Sequence, residues 1–190
     1  QSLQAYAMAT ARLEETIADG VSGDWGVVLD IDETTLSNLT YQRRRVELGV
    51  GYSSASWLAW TEEKAATPMP GAQAFLQRVR DLGGRVVFVS NRKDGRECDA
   101  TRANLAALNI GFDAMLCRTT TSDKNPRFDE VRAGTQGLPA LEVVLFVGDN
   151  IQDFPGLTQD VRLGADSGFA GFADNFVLIA NPMYGSWERN

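Results

Sequence analysis

Apolar residues gather in five short runs, at 27–31, 86–89, 114–116, 143–147 and 176–179. Most are β-branched or aromatic, which suits buried parallel strands. Helix-length segments lie between them. The opening QSLQAYAMATARLEETIADG carries an amphipathic pattern. Residues 71–82 follow Pro70 and stop at Gly83-Gly84, a proline-first, glycine-last arrangement that frames a helix. Residues 95–109 turn Cys98, Leu105 and Leu108 to one face, and 125–137 begin with Pro126 at the first turn and close at glycine. The alternation predicts an α/β domain, a Rossmann-like parallel sheet with helices on both faces. One stretch breaks the rhythm. Residues 36–70, containing YQRRRVELGV and WLAWTEEKAA, read as a small, mainly helical insertion after the first strand. The expectation is a single domain over residues 1–190 with that insertion, without internal repeats.

Charge then narrows the chemistry. The 190 residues carry a formal net charge of −7, which leaves no basic footprint for a nucleic acid polymer. Arg43, Arg44 and Arg45 form the densest basic run and read as a solvated helix face, with phosphate steering as the lesser alternative. No apolar run approaches the ~18 residues of a membrane span, and no targeting signal is recognisable in the chain. Two cysteines, Cys98 and Cys117, are too few for a disulfide framework. Neither begins a Cys-five-residues-Arg phosphate loop, since Asn104 and Asp123 stand where the arginine would be. Both are expected to be buried packing residues. There is no histidine. Catalytic triads, Cys-His pairs and His-ligated zinc are therefore excluded, which leaves carboxylates, hydroxyls, lysine or an oxygen-bound hard cation.

In open parallel sheets, ligands bind beyond the carboxyl ends of the strands. Those positions hold Asp30-Ile31-Asp32-Glu33-Thr34, then Ser90-Asn91-Arg92, Ser122-Asp123-Lys124, and Gly148-Asp149-Asn150-Ile151-Gln152-Asp153. If the first strand persists, alternation sends Asp30 and Asp32 to one side. Calcium-loop readings fail on spacing. From Asp30 the sixth and twelfth positions are Thr35 and Tyr41, and from Asp149 they are Phe154 and Asp160, where glycine and glutamate are needed. Taken singly, these aspartates fit helix caps and turns equally well. As an ordered set they supply what phosphoryl transfer requires: a nucleophile, a proton donor, carboxylates for Mg²⁺, and groups for the phosphoryl oxygens.

The ordered motifs DIDET, SNR, DK and GDNxxD resemble the haloacid dehalogenase superfamily of phosphatases. The segments DIDETTLSN, PMPGAQAFL, FVSNRKD, SDKNPRF, FVGDNIQDF and NPMYGSWE more narrowly resemble the bacterial class C, or DDDD, acid phosphatases, a group that includes lipoprotein 5′-nucleotidases. The resemblance implies an aspartyl-phosphate mechanism with Asp30 as nucleophile and Asp32 as the acid that protonates the leaving group and later activates water. It implies Mg²⁺ held by Asp30, the backbone carbonyl of Asp32, and Asp149, with Asp153 in support. Ser90 and Lys124 would bind phosphoryl oxygens. Asn91 and Arg92 belong to the substrate-binding second motif without an assigned contact. It further implies a periplasmic, secreted or outer-membrane-associated protein. Ser37 and Thr40 depart from the pattern, since relatives often have Asp and Pro there, and the lipid-anchoring cysteine does not occur.

Substrates implied by the resemblance are small phosphate esters, with nucleoside 5′-monophosphates foremost and the base stacked between Trp57 and Tyr184. The plainer alternative is that these aromatics pack the insertion against the core. Trp60 reads as core, and Trp187 fits either role. A non-catalytic storage-type relative, a same-fold phosphatase with another dedicated substrate, and a homodimer stay open.

Overall fold

A computed structural model describes residues 1–185, so Trp187 and its possible roles lie outside the described residues. The chain runs α1 (Ser2–Asp19), β1 (Trp25–Leu29), β2 (Leu36–Ser37), α2 (Leu39–Leu48), α3 (Ser54–Glu63), β3 (Thr67–Pro68) and α4 (Ala72–Asp81). It continues through β4 (Arg85–Lys93), α5 (Arg96–Ala107), β5 (Ala114–Arg118), α6 (Asn125–Ala133) and β6 (Glu142–Gly148), then three 3₁₀ turns and β7 (Phe176–Leu178). Five strands form a parallel sheet in the order β5-β4-β1-β6-β7. This is the α/β architecture that the alternating pattern predicts.

Strand alternation sorts the core into two layers. Val27, Leu29, Val86, Phe88, Met115 and Cys117 join one cluster with Tyr6, Leu13, Phe75 and Leu105 of α1, α4 and α5. Val28, Val87, Val89, Leu116 and Phe146 join the other with Phe128 and Val131 of α6. Both sheet faces are thus covered, as continuous apolar strands require.

The cysteine expectation needs correction. Cys98 and Cys117 are buried, but they are joined as a disulfide between α5 and β5. Nineteen residues separate them in sequence, while the fold brings their Cα atoms to 6.3 Å, within reach of a bridge. Cys117 points to the layer that α5 covers, and Cys98 sits on the α5 face turned toward it.

Strand β1 is shorter than its apolar run. It ends at Leu29, and Asp30 leaves the ladder, although its amide still donates to the carbonyl of Val147 on β6. Asp32 then forms an isolated bridge with Leu36. Chain entry into and exit from the excursion are zipped together by β2 and β3, with the Met69 amide on the Thr35 carbonyl. Between them α2 and α3 rise beside the carboxyl end of the sheet. Reciprocal bonds from Ala66 to the Asn104 side chain and an Arg96–Glu62 ion pair tie the excursion to α5.

Candidate active site

Four strand ends meet at one cavity of about 710 Å³, walled by Asp30, Asp32, Asn91, Arg92, Lys124, Asp149 and Asp153, and by Trp57 and Tyr184 above them. Asp30 is buried at the end of β1. Lys124, at the start of α6, is buried too, and its Nζ donates to Asp30 Oδ1 at 2.5 Å and Asp153 Oδ1 at 2.7 Å. The second Asp153 oxygen accepts the amides of Asp149 (3.1 Å) and Asn150 (2.9 Å). One Asp153 oxygen thus takes the Lys124 ammonium, and the other fixes the loop that carries Asp149. Gly148 is required here because a Cβ would lie 2.2 Å from the Asp153 Cβ.

Charge is concentrated far beyond what burial tolerates by itself. Burial pushes Asp30 up to about 7, against the pull of Lys124 and with added push from Asp153 and Asp32. Burial also drives Asp149 well above the usual carboxylate range, reinforced by Asp153 and Asp30 and opposed by the Asn181 amide. For Lys124, burial works to lower the value, but Asp153 and Asp30 outweigh it and hold the ammonium above an ordinary lysine. One carboxylate oxygen from each of Asp30, Asp149 and Asp153 can lie within 4.8 Å of the others. Three hard oxygen donors with no nitrogen or sulfur among them match the preference of Mg²⁺ and similar ions. The site can therefore hold a divalent cation.

Asp32 sits on the other side of Asp30 and is gripped from two directions. The buried Arg92 guanidinium reaches its Oδ1 at 2.8 and 3.1 Å, and the Asn38 amide reaches it at 2.8 Å. Arg92 also donates to Thr101 and lies 5.3 Å from the ring of Trp57. Asn38 is fully buried and receives the Trp60 indole N–H at 2.8 Å. Trp60 is core, as its sequence position suggests, and it also braces this network.

Comparison with known proteins identifies the arrangement. A family model described as HAD superfamily, subfamily IIIB (acid phosphatase) matches residues 1–187. The chain belongs to this family. It is similar to the class C acid phosphatase from Bacillus anthracis, at 31% identity over 98% of this chain and 79% of that one, with a TM-score of 0.87. The structure of that enzyme with tungstate bound matches at 30% identity and 0.86 over the same shares. A chain of the Pnkp1/Rnl/Hen1 RNA repair complex shares the fold alone, at 17% identity and a TM-score of 0.55, over 87% of this chain and 44% of that one. The protein is accordingly an acid phosphatase, a phosphomonoester hydrolase.

The phosphatase site differs in detail from its motif outline. Ser90 is fully buried, with its hydroxyl accepting the Arg92 amide at 3.1 Å and its carbonyl accepting Arg127 at 2.5 Å. Asn91 bridges two motifs by donating to the Ser122 carbonyl and accepting from Arg127. Arg127 went unnoticed in the sequence because it lies one helical turn beyond the DK pair. Glu33, the third carboxylate of the DIDET run, is buried with φ 52° and accepts from Asn38 and from the Tyr184 hydroxyl. Burial pushes its carboxyl up to about 8, helped by Asp32. Tyr6 of α1 donates to the Thr34 carbonyl at 2.7 Å, so the N-terminal helix also braces the loop. Trp57 and Tyr184 are half-buried on the cavity wall. Trp57 packs edge-on against Tyr41, with ring centroids 5.3 Å apart. Among the described residues, no helix is long and apolar enough to cross a membrane.

Proposed function

We propose that this acid phosphatase is Mg²⁺-dependent and hydrolyses small phosphomonoesters, foremost nucleoside 5′-monophosphates, through an aspartyl-phosphate on Asp30. The observation that carries the reading is the buried Asp30–Lys124–Asp153 chain beside Asp149. Asp30, the Asp32 carbonyl and Asp149 would hold Mg²⁺, and Asp153 orients their loop. The cation, when bound, offsets the carboxylate charge and polarises the phosphoryl oxygens.

Chemistry divides between the two carboxylates. Asp30 attacks phosphorus, and Lys124 favours its ionised form against burial while drawing negative charge from the phosphoryl oxygens. Asp32 stands apart from that pair, where Arg92 and Asn38 fix its orientation, and gives its proton to the leaving oxygen. The same carboxylate, now ionised, activates the water that cleaves the acyl phosphate. Ser90 Oγ accepts the Arg92 amide and keeps its own O–H, which would donate to a phosphoryl oxygen. Residues 36–70 act as a cap, and Trp57 with Tyr184 offers two aromatic faces to a base. The presence of Asp30, Asp32, Lys124, Asp149 and Asp153 together favours an enzyme over a storage-type relative. The Cys98–Cys117 bridge supports an oxidising compartment, in keeping with a periplasmic, secreted or outer-membrane-associated enzyme.

A panel of phosphate esters assayed with EDTA and with added Mg²⁺ tests this directly. Chelation should abolish turnover and Mg²⁺ should restore it, with AMP preferred to glycerol phosphate. A beryllofluoride adduct should form on Asp30. Full activity in metal-stripped protein, or an adduct elsewhere, would overturn the mechanism.

A further inference from the structure

Among the described residues, three cations line the cavity: Lys124, Arg92 and Arg45. The first two are already committed, Lys124 to Asp30 and Asp153, and Arg92 to Asp32. Arg45, in the last turn of α2, differs. Among the described residues it forms no ion pair, and its one hydrogen bond runs from Nη1 to Gln42 Oε1 at 2.8 Å. Its Nε–H is buried without a partner. A guanidinium carries five N–H donors in a fixed fork, and among the described residues only one of them meets a protein acceptor. The plain reading is a helix-end arginine complementing the dipole while its stem packs on Tyr41, whose ring centre is 5.6 Å away. That accounts for the stem. It leaves unexplained a guanidinium partly withdrawn from water beside a cavity otherwise rich in carboxylates. Arg43 and Arg44, on the same helix, stay exposed, and neither lines this cavity.

Size points the same way. A volume of about 710 Å³ lies in the range of sites for whole small-molecule ligands, well beyond one phosphoryl group. The Asp30 end takes the scissile phosphoryl group, and Arg45 sits on the cap side, where the organic part of an ester must lie. Any second anion there would be repelled by the acidic floor unless a cation met it. We propose that Arg45, steadied by Gln42, is a subsite for a second anionic group on the substrate, a phosphate or carboxylate, so that the enzyme favours doubly anionic phosphomonoesters. The inference rests on the phosphomonoesterase activity of the family and not on the identity of the base.

The test compares two substrate pairs: glycerol phosphate against phosphoglycerate, and AMP against an adenosine bisphosphate whose second phosphate is on the ribose. Preference, the ratio of kcat/KM within each pair, is measured for wild type, Arg45→Met, Arg45→Lys and Arg43→Met. Wild type should prefer the doubly anionic member. Arg45→Met, which keeps the stem over Tyr41, should cut that preference by roughly tenfold or more, the usual effect of removing a hydrogen bond to a charged group. Arg45→Lys should retain part of it, and Arg43→Met should leave it unchanged. A drop confined to the bisphosphate pair assigns the subsite to phosphate, and a drop in both assigns it to anions generally. An unchanged preference in Arg45→Met, or an equal drop in Arg43→Met, overturns the subsite. A lack of preference for AMP over glycerol phosphate sinks the nucleotide reading separately, because the phosphoglycerate pair contains no base.

Discussion

At the floor of the cavity, Asp30, Lys124, Asp153 and Glu33 are nearly removed from water, and each is fixed by ion pairs or backbone amides. In the cap above, Trp57 is half-buried, Tyr52 is 60% exposed, and Arg45 is held by one neighbour and a ring face. The floor is built from strand ends whose positions the parallel ladder dictates. The cap is built from two short helices anchored by a two-residue hairpin and a few side-chain bonds. Low dielectric and dense partnering make each floor group indispensable, because removing one leaves others charged, buried and unpaired. Of the cap residues, Asn38 and Trp60 are buried and serve the floor, whereas Trp57, Tyr52 and Arg45 are more exposed and more loosely coupled. On the proposed mechanism, failure of the whole reaction belongs to the floor, and shifts in preference belong to that outer part of the cap.

The largest effect expected is on the floor. Asp30→Asn should lower kcat by at least ~10³-fold, as loss of a nucleophile does, while the fold persists, since an amide nearly matches the carboxylate in size. Steady-state kinetics beside a thermal melt would check both halves. Substantial residual turnover would remove Asp30 from its role and erase the contrast with the cap.

A second expected outcome concerns stability in protein stripped of divalent ions. Asp30 is raised from 3.8 to about 7 and Glu33 from 4.5 to about 8, burial being the first cause for both. A group whose folded value exceeds its unfolded one binds protons more tightly in the native state. Its stabilising contribution is full below the unfolded value and is lost as pH rises through the folded one. The urea midpoint should therefore decline as pH rises from about 4 to 8. Glu33→Gln, which removes the titration and keeps the bond from the Asn38 backbone amide, should flatten the upper part of that decline. A midpoint that climbed steadily over this window would show that the floor carboxylates do not carry the burden assigned to them.

How much of this was legible beforehand follows the same division. Hydrophobic runs and glycine–proline punctuation revealed the sheet and its helices because the central runs are buried on both faces, while β7 at the edge leaves Leu178 exposed. Asp30, Lys124, Asp149 and Asp153 could be gathered on paper because a parallel sheet places every strand's carboxyl end at one mouth. Side-chain pairings across the fold were not legible. The Arg92 grip on Asp32 spans 60 residues, and the Tyr184 hydroxyl reaches Glu33 across 151. The disulfide was hidden for a related reason. Strand parity in AMLCR sets Met115 and Cys117 on the face opposite Ala114 and Leu116, but only the packing of α5 shows which helix meets them. Ser90 carried its signal as a hydroxyl, and only the fold shows that its Oγ also accepts the Arg92 amide.

The smallest effect is the most telling about the cap. Trp57 touches Tyr41 and Arg92 and still lines the cavity opposite the floor, so packing and recognition compete to explain it. If its face stacks on a base together with Tyr184, its contribution is ~1–3 kcal/mol, as in aromatic–base contacts of single-strand binders. That range corresponds to roughly 5- to 150-fold in kcat/KM for a nucleoside monophosphate. Glycerol phosphate has no base to stack, so it responds only to whatever Trp57 does for the scaffold, including its contact with Arg92 and through it Asp32. The informative quantity is therefore the ratio of the two losses. Trp57→Ala should lower kcat/KM for AMP several-fold more than for glycerol phosphate, with the requirement for Mg²⁺ unchanged. Trp57→Phe should restore much of the AMP preference, since a smaller ring still offers a face. Equal losses on both substrates would make Trp57 a brace for Arg92, and would move it from the cap's recognition surface to the machinery of the floor.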